Sequence, residues 1–205
     1  MTATKVVRFL TGDPDGIRSG WLEALRTDGA PLRVALSTAL HLPGLPPPPF
    51  TAVDISWFAD EASALDHDVW LRRVAPALAL ADGSCAVVVE EVVVRGDPRN
   101  VGSFKMMSFG RRNPALSRAR FSARWRRESG AMGGEVIPDD VRGQAYVQDH
   151  PVGDEVAFDA VNEVWFERLD DLRRRAAWFA ARPVPTDLMS PAECWSLHLR
   201  EERLG

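Results

Sequence analysis

Short alternating runs of β-branched and polar residues recur along the chain, with stretches of helical periodicity between them. Lys5 to Leu10 is such a run and ends in the turn signal Thr11-Gly-Asp-Pro-Asp-Gly16, which predicts a strand and a loop. Ser19 is the expected N-cap of a following helix, with Trp21, Leu22 and Leu25 as its apolar stripe and Gly29 and Pro31 as its stop. Leu32 to Leu40 and Ala52 to Phe58 read as strands joined by a rigid connector, the proline run Pro46 to Pro49. A helix is expected over Asp60 to Leu80, bent at Pro76 and broken by Asp82-Gly83, and a fourth strand over Cys85 to Val94.

The same order follows again. Phe104 to Phe109 reads as a strand, Gly110 to Pro114 as a loop, and Ser117 as the cap of a helix reaching Ala131 and ended by Gly133 and Gly134. Strands are expected at Arg142 to Gln148, Phe158 to Phe166 and Trp195 to Leu204, with a helix at Leu169 to Ala181 and a linker over Pro183 to Pro191. Each half is βαββαβ, the ferredoxin-like unit of a four-stranded antiparallel sheet with two helices on one face. Segments also repeat: FTAVDISWF at Phe50 to Phe58 is matched by FDAVNEVWF at Phe158 to Phe166, and Cys85 and Cys194 open the two closing segments. These echoes point to an internal duplication with a unit of roughly 100 residues, divided here into 1–99 and 100–205. Packing two open sheet faces together gives an α+β barrel, a dimer built into one chain, with a cavity expected between the sheets.

Composition adds limits. At 205 residues, 45% hydrophobic and 26% charged, the chain can bury a sizeable core. A net charge of −4 argues against nucleic acid as a partner, and the arginines at 111–127 and 173–175 read as solvated helix faces. With only two cysteines at matched places, a packing role in a reducing cytoplasm is expected, and no apolar run reaches the ~20 residues that span a bilayer. A monomeric pseudodimer or a homodimer is the expected state.

The second half resembles the EthD-like family of dimeric α+β barrels. Phe104 to Trp125, FKMMSFGRRNPALSRARFSARW, is similar to that family's opening strand, Arg-x-Pro-x-Leu-Ser loop and F-x-x-x-W helix. Gln144 to His150, FDAVNEVWF and HLREERL resemble its Y-x-Q-x-H, D-G-x-x-E-x-W-F and closing segments, whereas the first half looks like a diverged copy. Members commonly carry a His where Ser129 stands here, in Trp125-Arg-Arg-Glu-Ser129-Gly130. The resemblance implies an enzyme acting on an aromatic or polyketide-like molecule, and the absence of nucleotide-binding and zinc-spaced motifs leads to the expectation of no metal or other cofactor.

Candidate chemistry gathers on two strands. Gln144, Tyr146, Gln148 and His150 share one face by alternation, and that face is expected to look into the inter-sheet cavity. His150 is the expected proton carrier, with Tyr146 and Gln148 holding a developing enolate oxygen. Asp54 and Asn162, at matched places on the third strands, are expected to orient a ligand hydroxyl or carbonyl. His41 stands in the first half much as His150 does in the second, Glu163 is a candidate that could instead pair with an arginine, and Trp125 with Ser129 would form an aromatic cavity rim. The sequence lacks a GxGxxG after a strand, a P-loop and a GxSxG elbow. Lyase chemistry (dehydration, decarboxylation or cyclisation) leads, with cofactor-free oxygenation of a phenol or anthrone and non-catalytic binding as alternatives.

Overall fold

The computed structural model describes residues 4–74, 83–127, 131–132, 135–153 and 156–204. Its elements are β1 (Thr4–Leu10), α1 (Pro14–Ala24), β2 (Arg33–Ala39), β3 (Ala52–Phe58), α2 (Glu61–Leu65), α3 (His67–Val74), β4 (Cys85–Arg95), β5 (Phe104–Arg112), α4 (Arg118–Arg127), β6 (Ala131–Met132), β7 (Glu135–Val136), β8 (Ala145–Pro151), β9 (Ala160–Phe166), α5 (Leu169–Ala180) and β10 (Met189–Leu204). Eight strands close a barrel in the order β1-β3-β2-β10-β5-β9-β8-β4, every pair antiparallel. Around that ring the halves repeat one strand order, β4-β1-β3-β2 and β10-β5-β9-β8. They meet along two hydrogen-bonded seams, β2 with β10 and β4 with β8.

Alternation decides what lies inside. Val7, Phe9, Val53, Ile55, Met107, Phe109, Val161, Leu197 and Leu199 point inward and form the largest buried cluster, in which the Phe9 and Phe109 rings stand 4.4 Å apart. Two turns of the pleat away along β1 and β5, the same inward face carries Lys5 and Lys105, both 0% exposed. The Lys5 ammonium lies 2.9 Å from Glu91 and from Asp149 and also bonds Glu163, while Lys105 donates to Glu163 and Glu201 at 2.7 Å. The barrel is therefore aromatic toward one end and ionic toward the other. Glu91, Asp149 and Glu163 together have the look of a cation cluster, and the Lys5 ammonium already supplies the cation.

The outer faces are covered by helices. In the first half, Trp21 of α1 and Trp70 and Leu71 of α3 pack on Leu10, Val34, Leu36 and Ala52. In the second, Phe121 and Trp125 of α4 and Leu172 of α5 pack on Ala160, Met106, Val164 and Phe166.

Several expectations change. Helix α1 starts five residues before Ser19, because Asp13 accepts from the Gly16 amide and Pro14 pre-sets the first-turn φ. Strand β5 runs on through Arg112, so Gly110 to Arg112 is strand rather than loop. Strand β8 runs three residues later than expected, since Gly143 turns the chain at φ +76°, with a backbone that a side chain would press against Trp165 O. Ser117 does cap α4, its hydroxyl accepting from the Arg120 amide at 3.3 Å. The Asp60–Leu80 helix is broken between α2 and α3, and its expected course past Val74, with Pro76, lies outside the described residues, as do Gly133 and Gly134.

Candidate functional site

Outward-facing positions on β5, β8, β9 and β10 form the floor of a cavity of about 250 Å³ between the second sheet and its helices. Met106, Ser108, Tyr146, Asn162 and Val164 lie on the floor, Trp125 and Phe179 on the helix side, and Pro185 and Leu188 come from the segment that returns to β10. The Gln144–Tyr146–Gln148–His150 face thus looks at the helices and not into the space between sheets, which is filled by the Phe9 cluster and the ionic network except for a mouth of about 100 Å³ beside Trp57, Glu91, Trp165 and Glu201. This corrects the expected location of the cavity. The opposite face of β8, Ala145, Val147 and Asp149, is the inward one.

The matched place in the first half is occupied by side chains. Arg8 pairs with Asp54 across β1 and β3 just as Ser108 pairs with Asn162 across β5 and β9. The Arg8 guanidinium lies 3.2 Å from the Asp54 carboxylate, which also accepts from the Trp21 indole at 2.9 Å. Burial pushes the Asp54 carboxyl up, against the pull of Arg8. Large charged and aromatic side chains fill that slot; Ser108 and Asn162 leave theirs open.

A directed hydrogen-bond chain runs into the cavity. Gln148, 1% exposed, donates from Nε2 to the Trp125 carbonyl at 3.0 Å and to the Tyr146 hydroxyl at 3.1 Å. Tyr146 in turn donates to Asn162 Oδ1 at 2.9 Å. A backbone carbonyl only accepts, so the Trp125 oxygen fixes which end of the Gln148 amide faces Tyr146. That choice turns the phenol proton toward Asn162 and leaves the Asn162 Nδ2 donors for the cavity. Burial pushes the Tyr146 phenol up to about 12, so it remains a neutral donor.

The charged residues of the lining are all basic. Arg95, Arg142 and Arg175 border the cavity with Tyr146, and no Asp or Glu lines it among the described residues. Cys194, also in the lining, is held as a thiol, its pKa pushed up to about 11 by burial.

The expected site residues divide as follows. Tyr146, Asn162 and Trp125 line the cavity, and Gln148 sits directly behind Tyr146. His150, 5% exposed, lies beyond Trp125, its ring 4.5 Å from the indole and its Nδ1 3.0 Å from Ser122 Oγ. Burial lowers its pKa to about 4, with Arg126 repelling the charged form as well. Asp54 is locked under α1, and His41 is exposed on the β2–β3 connector. Glu163 points into the barrel and pairs with two lysines rather than an arginine. Ser129 lies outside the described residues.

Among the lining arginines, Arg95 and Arg142 are not singled out by the sequence, and the reading of 173–175 as a solvated helix face holds for only the first two members. Arg173 and Arg174 bond Asp170 and Asp171 on the surface, as a solvated helix face should. Arg175, however, is 7% exposed. Its spacing to Leu172, Ala176 and Phe179 is the i, i+3, i+4, i+7 pattern of a buried stripe, a signal present in the sequence.

No protein-family model and no curated protein sequence matches the chain. Solved structures do match. An anthrone oxidase-like protein superposes with a TM-score of 0.58 at 10% identity, covering 100% of this chain and 94% of that one. A putative monooxygenase from Fusobacterium nucleatum gives 0.53 at 9%, covering 98% and 93%, and a mutant chlorite dismutase from Candidatus Nitrospira defluvii gives 0.52 at 13%, covering 98% and 91%. All are dimeric α+β barrels of ferredoxin-like type, and at these identities the likeness shows the fold. No helix among the described residues is long and apolar enough to cross a membrane.

Proposed function

We propose that this chain is a small-molecule enzyme that holds a flat, enolisable aromatic ketone or phenol in the helix–sheet cavity and passes its anion to dioxygen without a cofactor. The observation that carries this reading is the Gln148–Tyr146–Asn162 chain, which ends on the Asn162 amide in the cavity wall, beside the apolar Met106, Val164 and Trp125. Hydrogen bonds in series polarise one another, and a pre-aimed donor stabilises an oxygen on which charge develops more than it stabilises the neutral ketone.

Among the described residues the lining holds no carboxylate or imidazole, His150 lying behind Trp125. Selective binding of the anion, with its proton released to solvent, therefore replaces a dedicated base. For a methylene ketone of the anthrone type, the enolate carbon forms a C–O bond with dioxygen and the peroxide takes up a proton. The hydroperoxide then loses water as the second C–H bond and the O–O bond break. One methylene group and one dioxygen thus become one ketone carbonyl and one water, a four-electron oxidation balanced by full reduction of the dioxygen. The resemblance of the fold to an anthrone oxidase-like protein agrees with this direction.

An oxygen electrode tests it. With anthrone and hydroxylated anthrones, oxygen uptake above spontaneous oxidation is expected, matched by quinone formation, and Asn162→Ala should lower it by about 10²-fold. Uptake equal to the protein-free rate would overturn the reading. Product formed without oxygen uptake would instead support the dehydration, decarboxylation or cyclisation chemistry implied by the EthD-like resemblance.

A further inference from the structure

A buried guanidinium is ordinarily neutralised by a carboxylate, because an uncompensated charge in a low-dielectric site is costly. Arg175 departs from that. Its side chain is 7% exposed and lies over the Phe179 ring at 4.4 Å. Nη1 donates to the Val141 carbonyl at 2.8 Å, and Nε is buried without a partner. Burial pushes its pKa down to about 10, with Arg95 repelling it further.

Two more guanidinium groups share this end of the cavity. Arg95 donates from Nη2 to the carbonyls of Arg142 and Gly143, both neutral acceptors. Arg142 donates from Nε to Ile137 O and pairs with Asp139 at 3.0 Å, a carboxylate that is itself exposed and outside the lining. Among the described residues, three positive groups thus meet one exposed acid at this end of the cavity.

Resting on the cavity being the ligand site of the proposed function, we infer that Arg95, Arg142 and Arg175 form an acid-binding subsite, so that the ligand is an aromatic carboxylate. Its rings would lie between Met106, Val164 and Trp125, with its carboxylate at the arginine end. The planar fork of an arginine matches a carboxylate in two parallel hydrogen bonds, which a neutral ester cannot accept with the same strength. The carboxylate and the reacting oxygen are then read separately, the first by the arginines and the second by Asn162.

The test is equilibrium binding of 2-naphthoate and of methyl 2-naphthoate, followed by calorimetry at neutral pH in the intact chain. The acid is expected to bind about tenfold tighter or more, and added salt should weaken the acid far more than the ester. Arg175→Gln should erase the preference. Should that variant fail to fold, Arg95→Gln, at a partly exposed position, is expected to reduce the preference severalfold. Equal binding of acid and ester, binding of neither, or a preference unmoved in the folded arginine variants would each overturn the subsite. Oxygen uptake is not read here: an acid preference without any oxidase activity keeps the subsite and removes the oxidation reading, and the reverse result does the opposite.

Discussion

The Tyr146 hydroxyl donates to Asn162 Oδ1 at 2.9 Å, and this one contact decides which end of the Asn162 amide faces the cavity. Replacing Tyr146 by Phe removes the proton that fixes the amide and frees it to rotate. We expect kcat for oxygen uptake to fall by about tenfold with KM little changed, since the Tyr146 hydroxyl proton is committed to Asn162 and the phenyl ring that lines the cavity is retained in Phe. Asn162→Ala should fall further, and steady-state kinetics on both variants separates the positioning role from the donor role.

Tyr146 is the chain's one tyrosine, so its ionisation can be read without interference from others. A spectrophotometric titration of tyrosinate absorbance should show a single transition near about 12 in the folded protein, because burial opposes the phenolate. A midpoint at the ordinary value of 10.0 would place the phenol in solvent and break the hydrogen-bond chain.

Inside the barrel, Lys5 holds Asp149 and Glu163, each 0% exposed. Lys5→Met leaves these carboxylates facing one another without that ammonium and should destabilise the fold by about 3–5 kcal/mol, measured by urea unfolding. Lys105→Met should cost less, because Glu163 keeps Lys5 and Glu201 keeps Arg203.

Acid should weaken the fold in two stages. His150 and His198 have pKa values lowered to about 4 by burial, against an ordinary 6.5. The unfolded chain binds these protons first, so their contribution is complete above about 6.5 and is lost as pH falls through about 4. Glu163 is lowered to about 2: burial opposes ionisation, but Lys105 and Lys5 outweigh it, so its contribution persists until still lower pH. The melting temperature should therefore drop between about pH 6.5 and 4, and His150→Gln should flatten that drop.

Much of the architecture was legible because alternation and turn residues are local signals. Ala52–Phe58 is a strand as expected, and the barrel strands fall in the expected order along the chain, although the second helix of the first half is split into α2 and α3 and the second half gains the small β6–β7 sheet. Alternation defines two faces of a strand without saying which is inside, and here the barrel interior holds Lys5, Asp149, Glu163 and Lys105. The polar face of β8 was for that reason assigned to the wrong space. Tyr146, Asn162 and Trp125 were legible as a group, whereas Arg175 was hidden in a run of three arginines whose first two members are ordinary surface residues. His150 lies off the cavity because the Trp125 ring intervenes, a tertiary fact that no spacing along β8 reveals.

The slot packed by Arg8, Asp54 and Trp21 has a consequence for stoichiometry. Two equivalent subunits of such a barrel would offer two identical chambers, and binding at one could be felt at the other. In this chain the matched place in the first half is filled by its own side chains, so one ligand per chain is the stoichiometry we expect, with the filled half serving as a wall for the open one.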